Sequence, residues 1–187
     1  TATRPPAPEF PFWNTFFRKL GYRVILSEET NSRLIKDGME TAVAEPCLPI
    51  QAYHGHVNKL IEKDVDIIFI PNLINADTPF KSRNSYYCPW GQTLPFVIKN
   101  SPSINPYNDK IIHPEIRFRN GPAAVGNILV KSFQKLGNTK KSIIKALDKA
   151  YCTQQQFIEN LLFVGEKALK TLQDKSEIGI VLIGRTY

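Results

Sequence analysis

Two thiols and two imidazoles are the groups of this chain best suited to hold a metal or pass an electron. Cys47 lies in Glu45-Pro46-Cys47-Leu48-Pro49, and Tyr53-His54-Gly55-His56 follows about two helical turns on. Cys88 lies in Tyr87-Cys88-Pro89-Trp90-Gly91-Gln92. Each cysteine stands beside prolines at the head of a helix-like run, and proline suits the first turn of a helix. The N-terminal end of a helix favours an anion, and the thiolate is the form of cysteine that binds iron. Iron–sulfur clusters take several such thiolates. Two are too few to enclose a cubane, so a third protein ligand, a hydroxyl or water, or a second chain would complete the set. The opposing reading is structural, since a cysteine taken singly is more often a small buried hydrophobe. Cys152 falls mid-helix, without a helix end beside it, and reads as structural.

His54 and His56 are two positions apart, which on a helix turns them about 200° from each other. They therefore do not chelate one ion from one face, and the HExxH pattern is absent. Two readings stand for them. One places a histidine near Cys47, bonded to a cluster or an anionic group. In the other, Gly55 admits a close backbone while the imidazoles satisfy nearby carbonyls. His113, before Pro114, reads as a loop residue. Neither GxxxxGK[ST], GxGxxG nor GxSxG occurs. Glu28-Glu29 sits on a surface turn without a catalytic partner. No complete active site is visible, and whether the chain is an enzyme stays open.

These groups need elements to position them. With 187 residues, 42% of them hydrophobic, the chain can bury the core of one domain with or without a small lobe. No apolar run approaches the ~20 residues that cross a bilayer, and Thr1-Ala2-Thr3-Arg4-Pro5-Pro6-Ala7-Pro8 has no signal core. A cytoplasmic protein is expected. Three cysteines without CxxC argue against a disulfide framework and against a zinc ribbon. The net charge of +7 is concentrated from Lys131 to Lys149, with Lys140, Lys141 and Lys145 between. That stretch reads as a solvated helix face, or as a docking surface for a partner or a phosphate-bearing cofactor. Nucleic acid is disfavoured, because no reading module is present.

Phe12, Phe16, Leu20 and Trp13, Phe17 follow helical spacing, and Gly21 ends that helix. Tyr22 to Ser27 reads as a strand. Helices are expected over 30–38 and 49–63, and a nearly continuous apolar strand over Val65 to Ile70. Residues 72–87 read as a polar turn. Pro89 to Asn100 reads as a helix that Pro95 kinks or ends. A loop over 101–108 and a short strand over 110–113 follow. Helices from Pro122 to about Leu136 and from Thr139 to about Leu172 are expected to form an antiparallel hairpin, and Glu177 to Arg185 a buried strand. In sum, residues 1–9 read as a flexible or vector-like leader and 10–118 as an α/β domain with both cysteine segments. Residues 119–175 read as a helical hairpin, and 176–187 as the first strand of a truncated following unit. The fold class is α/β, with parallel Rossmann-like or flavodoxin-like layers, as a piece of a larger protein.

Phe10-Pro11-Phe12-Trp13, Gly21-Tyr22-Arg23-Val24-Ile25-Leu26-Ser27, and Cys47-x-Pro49 with His54-Gly55-His56 resemble a known family. It is the domain of unknown function of acyl-CoA dehydratase activase-related proteins, also described as CoA-substrate-specific enzyme activases or activators of 2-hydroxyglutaryl-CoA dehydratase. Tyr87 to Pro95 looks like that family's second cysteine segment, and Gly184-Arg185-Thr186-Tyr187 is similar to its Gly-Arg-Pro-Tyr turn, with Thr186 in place of proline. The resemblance implies kinship with the cluster-binding subunits of 2-hydroxyacyl-CoA dehydratases. It makes Cys47 and Cys88 ligands of a [4Fe–4S] cluster, with His54 and His56 as cofactor neighbours. It implies electron transfer with a CoA-ester dehydratase or an ATP-driven activator as partner. Asn72 stands where some relatives carry a further cysteine, which removes one ligand. ATP hydrolysis is not assigned to these residues. The rival reading is a non-catalytic interaction or scaffold domain of the same larger protein, without a cluster. A small-molecule enzyme working from the turn after the last strand is a third.

Overall fold

The structure is a computed structural model that describes residues 9–78, 80, 82, 84–175, 178–181 and 183. The first helix, α1 (Phe10–Lys19), buries Phe12, Trp13, Phe16 and Phe17. It ends as its sequence demands. Gly21 takes φ 88°, a conformation costly for any residue with a Cβ. Tyr22 N–H then reaches back to the Phe17 carbonyl at 3.0 Å and Gly21 N–H to that of Arg18 at 3.1 Å.

Residues 22–31 join no sheet, so the strand expected at Tyr22 to Ser27 is not formed. A β-rich composition makes a strand only where a neighbour accepts its ladder. Asn31 caps α2 (Ser32–Thr41), its side chain accepting the Leu34 N–H at 2.9 Å. The next helix, α3 (Leu48–Glu62), crosses α2 at very close range. A Cβ on Gly38 would collide with the Gln51 carbonyl, and one on Gly55 with the Leu34 carbonyl.

The strand expected over 65–70 is shorter and continues further than its apolar run suggests. It forms β1 (Ile68–Phe69) and then β2 (Asn72–Asn75), inside the stretch read as a turn. These pair in parallel with β3 (Ile111–Ile112) and β4 (Glu115–Arg117) respectively. Register is constant across the break, Ile68 facing Ile111 and Asn72 facing Glu115. Pro71 and Pro114 therefore fall at matching positions, and neither has an N–H to give the ladder. Hydrogen bonds of 2.9 Å still flank the break, from Ile70 N–H to the Ile112 carbonyl and from Asn72 N–H to the Pro114 carbonyl.

Between the paired segments runs α4 (Pro89–Lys99), which continues past Pro95 rather than ending there. Then come α5 (Gly121–Phe133) and the 36-residue α6 (Lys140–Lys175). The Thr139 hydroxyl caps α6 by accepting the Ser142 N–H at 3.1 Å. Of the strand expected at Glu177 to Arg185, Ile178 to Val181 and Ile183 are described and carry no strand; the remainder lies outside the described residues.

Side-chain alternation along the paired segments divides the core. Ile68 and Ile70 pack with Ile50, Val57 and Leu60 of α3 and with Leu94 and Ile98 of α4. Phe69 faces the other way, into α1, α5 and the start of α6. There Trp13 and Phe17 stand 4.7 and 4.8 Å from the Phe69 ring, and Phe16 stands 5.4 Å from Phe133. The result is a helix-rich α/β molecule in which short parallel strand pairs separate two helical layers. Among the described residues no helix is long and apolar enough to cross a membrane.

Candidate functional site at the heads of two helices

Cys47 is the N-cap residue of α3, and Cys88 is the N-cap residue of α4. In each case proline occupies the first turn, as the sequence predicts. Neither thiol is a small hydrophobe in a core: both are exposed. Cys152, expected mid-helix, is there, and it too is exposed.

Connectivity bears on where the two heads point. Five residues lead from the end of α3 into β1. A helix so closely joined to the next strand is expected to run back against it, with its head toward the edge where β2 finishes. Cys88 reaches that edge directly, because Tyr87 N–H bonds the Ile74 carbonyl near the end of β2 at 3.0 Å. Both helices cover the same face of the strands. In parallel α/β architecture the strand-end edge is where ligands are bound.

Close to the thiols in sequence, Val43 and Leu48 flank Cys47 and Tyr86 and Trp90 flank Cys88, all of them exposed. Tyr87 is fixed by a hydrogen bond from its hydroxyl to the Glu9 carboxylate, at the start of α1. Burial first, then the Glu9 charge, push the Tyr87 phenol far above its ordinary range, so it stays a neutral donor. Sequence reasoning missed this tie, because nothing local links positions 9 and 87.

The histidines are buried where the thiols are exposed. His54 is fully buried in α3, with Nδ1 2.9 Å from the Ile50 carbonyl one turn back. That geometry gives Nδ1 the proton, and Nε2 is buried with no hydrogen-bond partner. Burial holds the imidazole below its usual pKa, against the opposing pull of the Ile50 carbonyl. His56 is also buried, and clamped: Nδ1 lies 2.8 Å from the Ser27 hydroxyl and Nε2 3.1 Å from that of Thr30. It pins the 22–31 segment to α3. His113 packs edge-on to Phe96 at 5.3 Å, with Lys99 Nζ 3.3 Å from Nε2.

Chemically, the two exposed thiols each stand at the positive end of a helix dipole, although Pro49 and Pro89 carry no N–H and the Ile50 N–H already bonds the Cys47 carbonyl at 2.9 Å. Among the described residues no group of three or more His, Cys, Asp or Glu side chains could hold a metal ion. Elsewhere, Lys131, Lys140, Lys141, Lys145 and Lys149 form an exposed basic face on α5 and α6. A cleft of about 360 Å³ opens where β1 begins, between Tyr22, Arg23, Lys63 and Asp66 with Phe17 and Phe133 in its lining; neither thiol lines it.

The sequence model of one protein family, described as the CoA enzyme activase uncharacterised domain, matches residues 7–187. Neither a curated protein nor a solved structure matches the chain.

Proposed function

The chain belongs to the CoA enzyme activase uncharacterised domain family, and we propose that it contributes two thiolate ligands, Cys47 and Cys88, to an iron–sulfur cluster. The observation that carries this reading is the matched placement of the thiols. Each is an exposed N-cap residue, and connectivity directs their helices to one sheet edge. Exposure leaves room for inorganic sulfide and for ligands from another polypeptide. The donor set fits a shared cluster rather than a complete one, because two thiolates are half of the usual four.

A bound cluster would supply one-electron transfer. On the family resemblance, its electron comes from an ATP-driven activator and goes to a CoA-ester dehydratase. The chain's own residues hold and orient the ligands. His54 and His56 act on the site only through α3, which they brace from inside. The exposed apolar residues beside each thiol are the surface that a covering partner would dry. The fold that accompanies this reading is a Rossmann-like sheet grown outward from the four short strands.

Anaerobic purification with assay of iron and acid-labile sulfide tests the proposal. Bound iron is expected, with a broad visible absorbance that Cys47→Ser and Cys88→Ser each abolish. The rival, a scaffold domain without a cluster, is favoured by the absence of any three-ligand group among the described residues. It predicts neither iron nor sulfide, and identical spectra for both variants.

A further inference from the structure

The inner half of α6 buries Ile143, Ala146, Leu147 and Ala150 against the body of the molecule. At 100° per residue, the same side of the helix continues outward through Ile158, Leu161, Leu162, Val164, Leu169 and Leu172. Cover ends near Gln154, whose side-chain oxygen takes the Phe12 N–H at 3.2 Å. Beyond it about 30 Å of helix continues to Lys175. Along that length Ile158, Leu161, Leu162, Val164 and Leu169 are 43–63% exposed. One apolar stripe thus has two fates, and the outer part is larger than a water-facing helix explains.

We propose that this outer stripe is an interface between two copies of the chain, crossing antiparallel about Gly165. Gly165 is the sole glycine of α6, although glycine is unfavourable inside a helix. It lies near the centre of the stripe, and no atom stands within 4 Å of where its Cβ would be. It is the position at which a second backbone could approach. A two-fold axis there sets Leu161 against Leu169 of the second copy and Ile158 against Leu172, so the surface complements itself. At one border Glu159 falls opposite Lys170 of the second copy, twice by symmetry. Glu166 is nearest the axis and meets its own counterpart, the one like-charge contact in the arrangement.

Other covers fit less well. Residues 155–175 carry three acidic side chains (Glu159, Glu166, Asp174) and three basic ones (Lys167, Lys170, Lys175), so nothing draws this segment to an anionic lipid surface. The chain's own tail reaches only the Leu172 end of the stripe, where Gly179 lies against that side chain; its Ile178, Ile180, Val181 and Ile183 remain exposed and leave Ile158 to Leu169 uncovered.

Mass by light scattering across a dilution series tests the pairing. A dimer that dissociates on dilution is expected. Leu161→Glu should give monomer with unchanged helix content, since Leu161 touches no core. Gly165→Leu should weaken association at least tenfold, whereas unspecific apolar sticking would grow stronger with the added side chain. Glu166→Gln should tighten the dimer. Glu159→Lys should loosen it, and adding Lys170→Glu should restore it. A monomer at every concentration overturns the proposal, as does association that Gly165→Leu leaves intact or strengthens. These readouts are independent of any cluster.

Discussion

The head and the middle of α3 carry the same class of chemistry-bearing residue and treat it in opposite ways. At the head, Cys47 is exposed. In the middle, His54 and His56 are sealed in, one against its own backbone and the other against two hydroxyls of a neighbouring segment. A thiol at an exposed cap is free to take a ligand. An imidazole with both nitrogens engaged, or buried without an opening, is committed to the fold. Nearness in sequence between Cys47 and His54 therefore does not give them the same exposure.

Substitutions can break that contrast. The largest effect is expected in the middle, at Gly55→Ala. The new methyl meets the Leu34 carbonyl, so α2 and α3 must separate. A loss of about 3 kcal/mol is expected, at the upper end of overpacking costs, read from the urea midpoint. An unchanged midpoint would mean that the two helices slide freely.

A smaller effect should come from pH. Burial lowers the pKa of His54 below its ordinary 6.5, and burial followed by the Lys99 charge lowers that of His113. The unfolded chain therefore takes up these protons first. Stability should hold above about pH 6.5 and fall as pH drops from there through the depressed folded values. His54→Leu should remove part of that slope between pH 7 and pH 5 and leave the part due to His113. A slope identical to that of the parent chain would exclude the buried imidazole as its source.

The smallest effect is expected at the head. Cys47→Ser and Cys88→Ser replace exposed cap residues with a good capping side chain, so the midpoint of the metal-free protein should move by no more than about 0.5 kcal/mol. A large loss in either variant would move that cysteine from the ligand side of the comparison to the structural side.

Much of this was legible in the sequence. The i, i+4 aromatics of α1, Gly21 as its stop, Pro89 at the start of α4 and Thr139 as the cap of α6 follow from local chemistry, and each is found. The errors share one cause. Tyr22 to Ser27 has strand composition but no ladder partner. Asn72 to Asn75 has turn composition, yet lies in register with Glu115 to Arg117. A strand is defined by its neighbour, and its own residues state only half of the pairing.

The sequence alone set where helices start and stop, because capping and helical periodicity act within a few residues. It also set both thiols at helix heads, since Pro49 and Pro89 fix the first turn. Tertiary structure decided what faces water. It buried His54 and His56, tied Tyr87 to Glu9 across the chain, and left half of the stripe on α6 bare. Those outcomes depend on contacts between residues far apart in sequence, and burial is a property of the packed layers that no local pattern encodes.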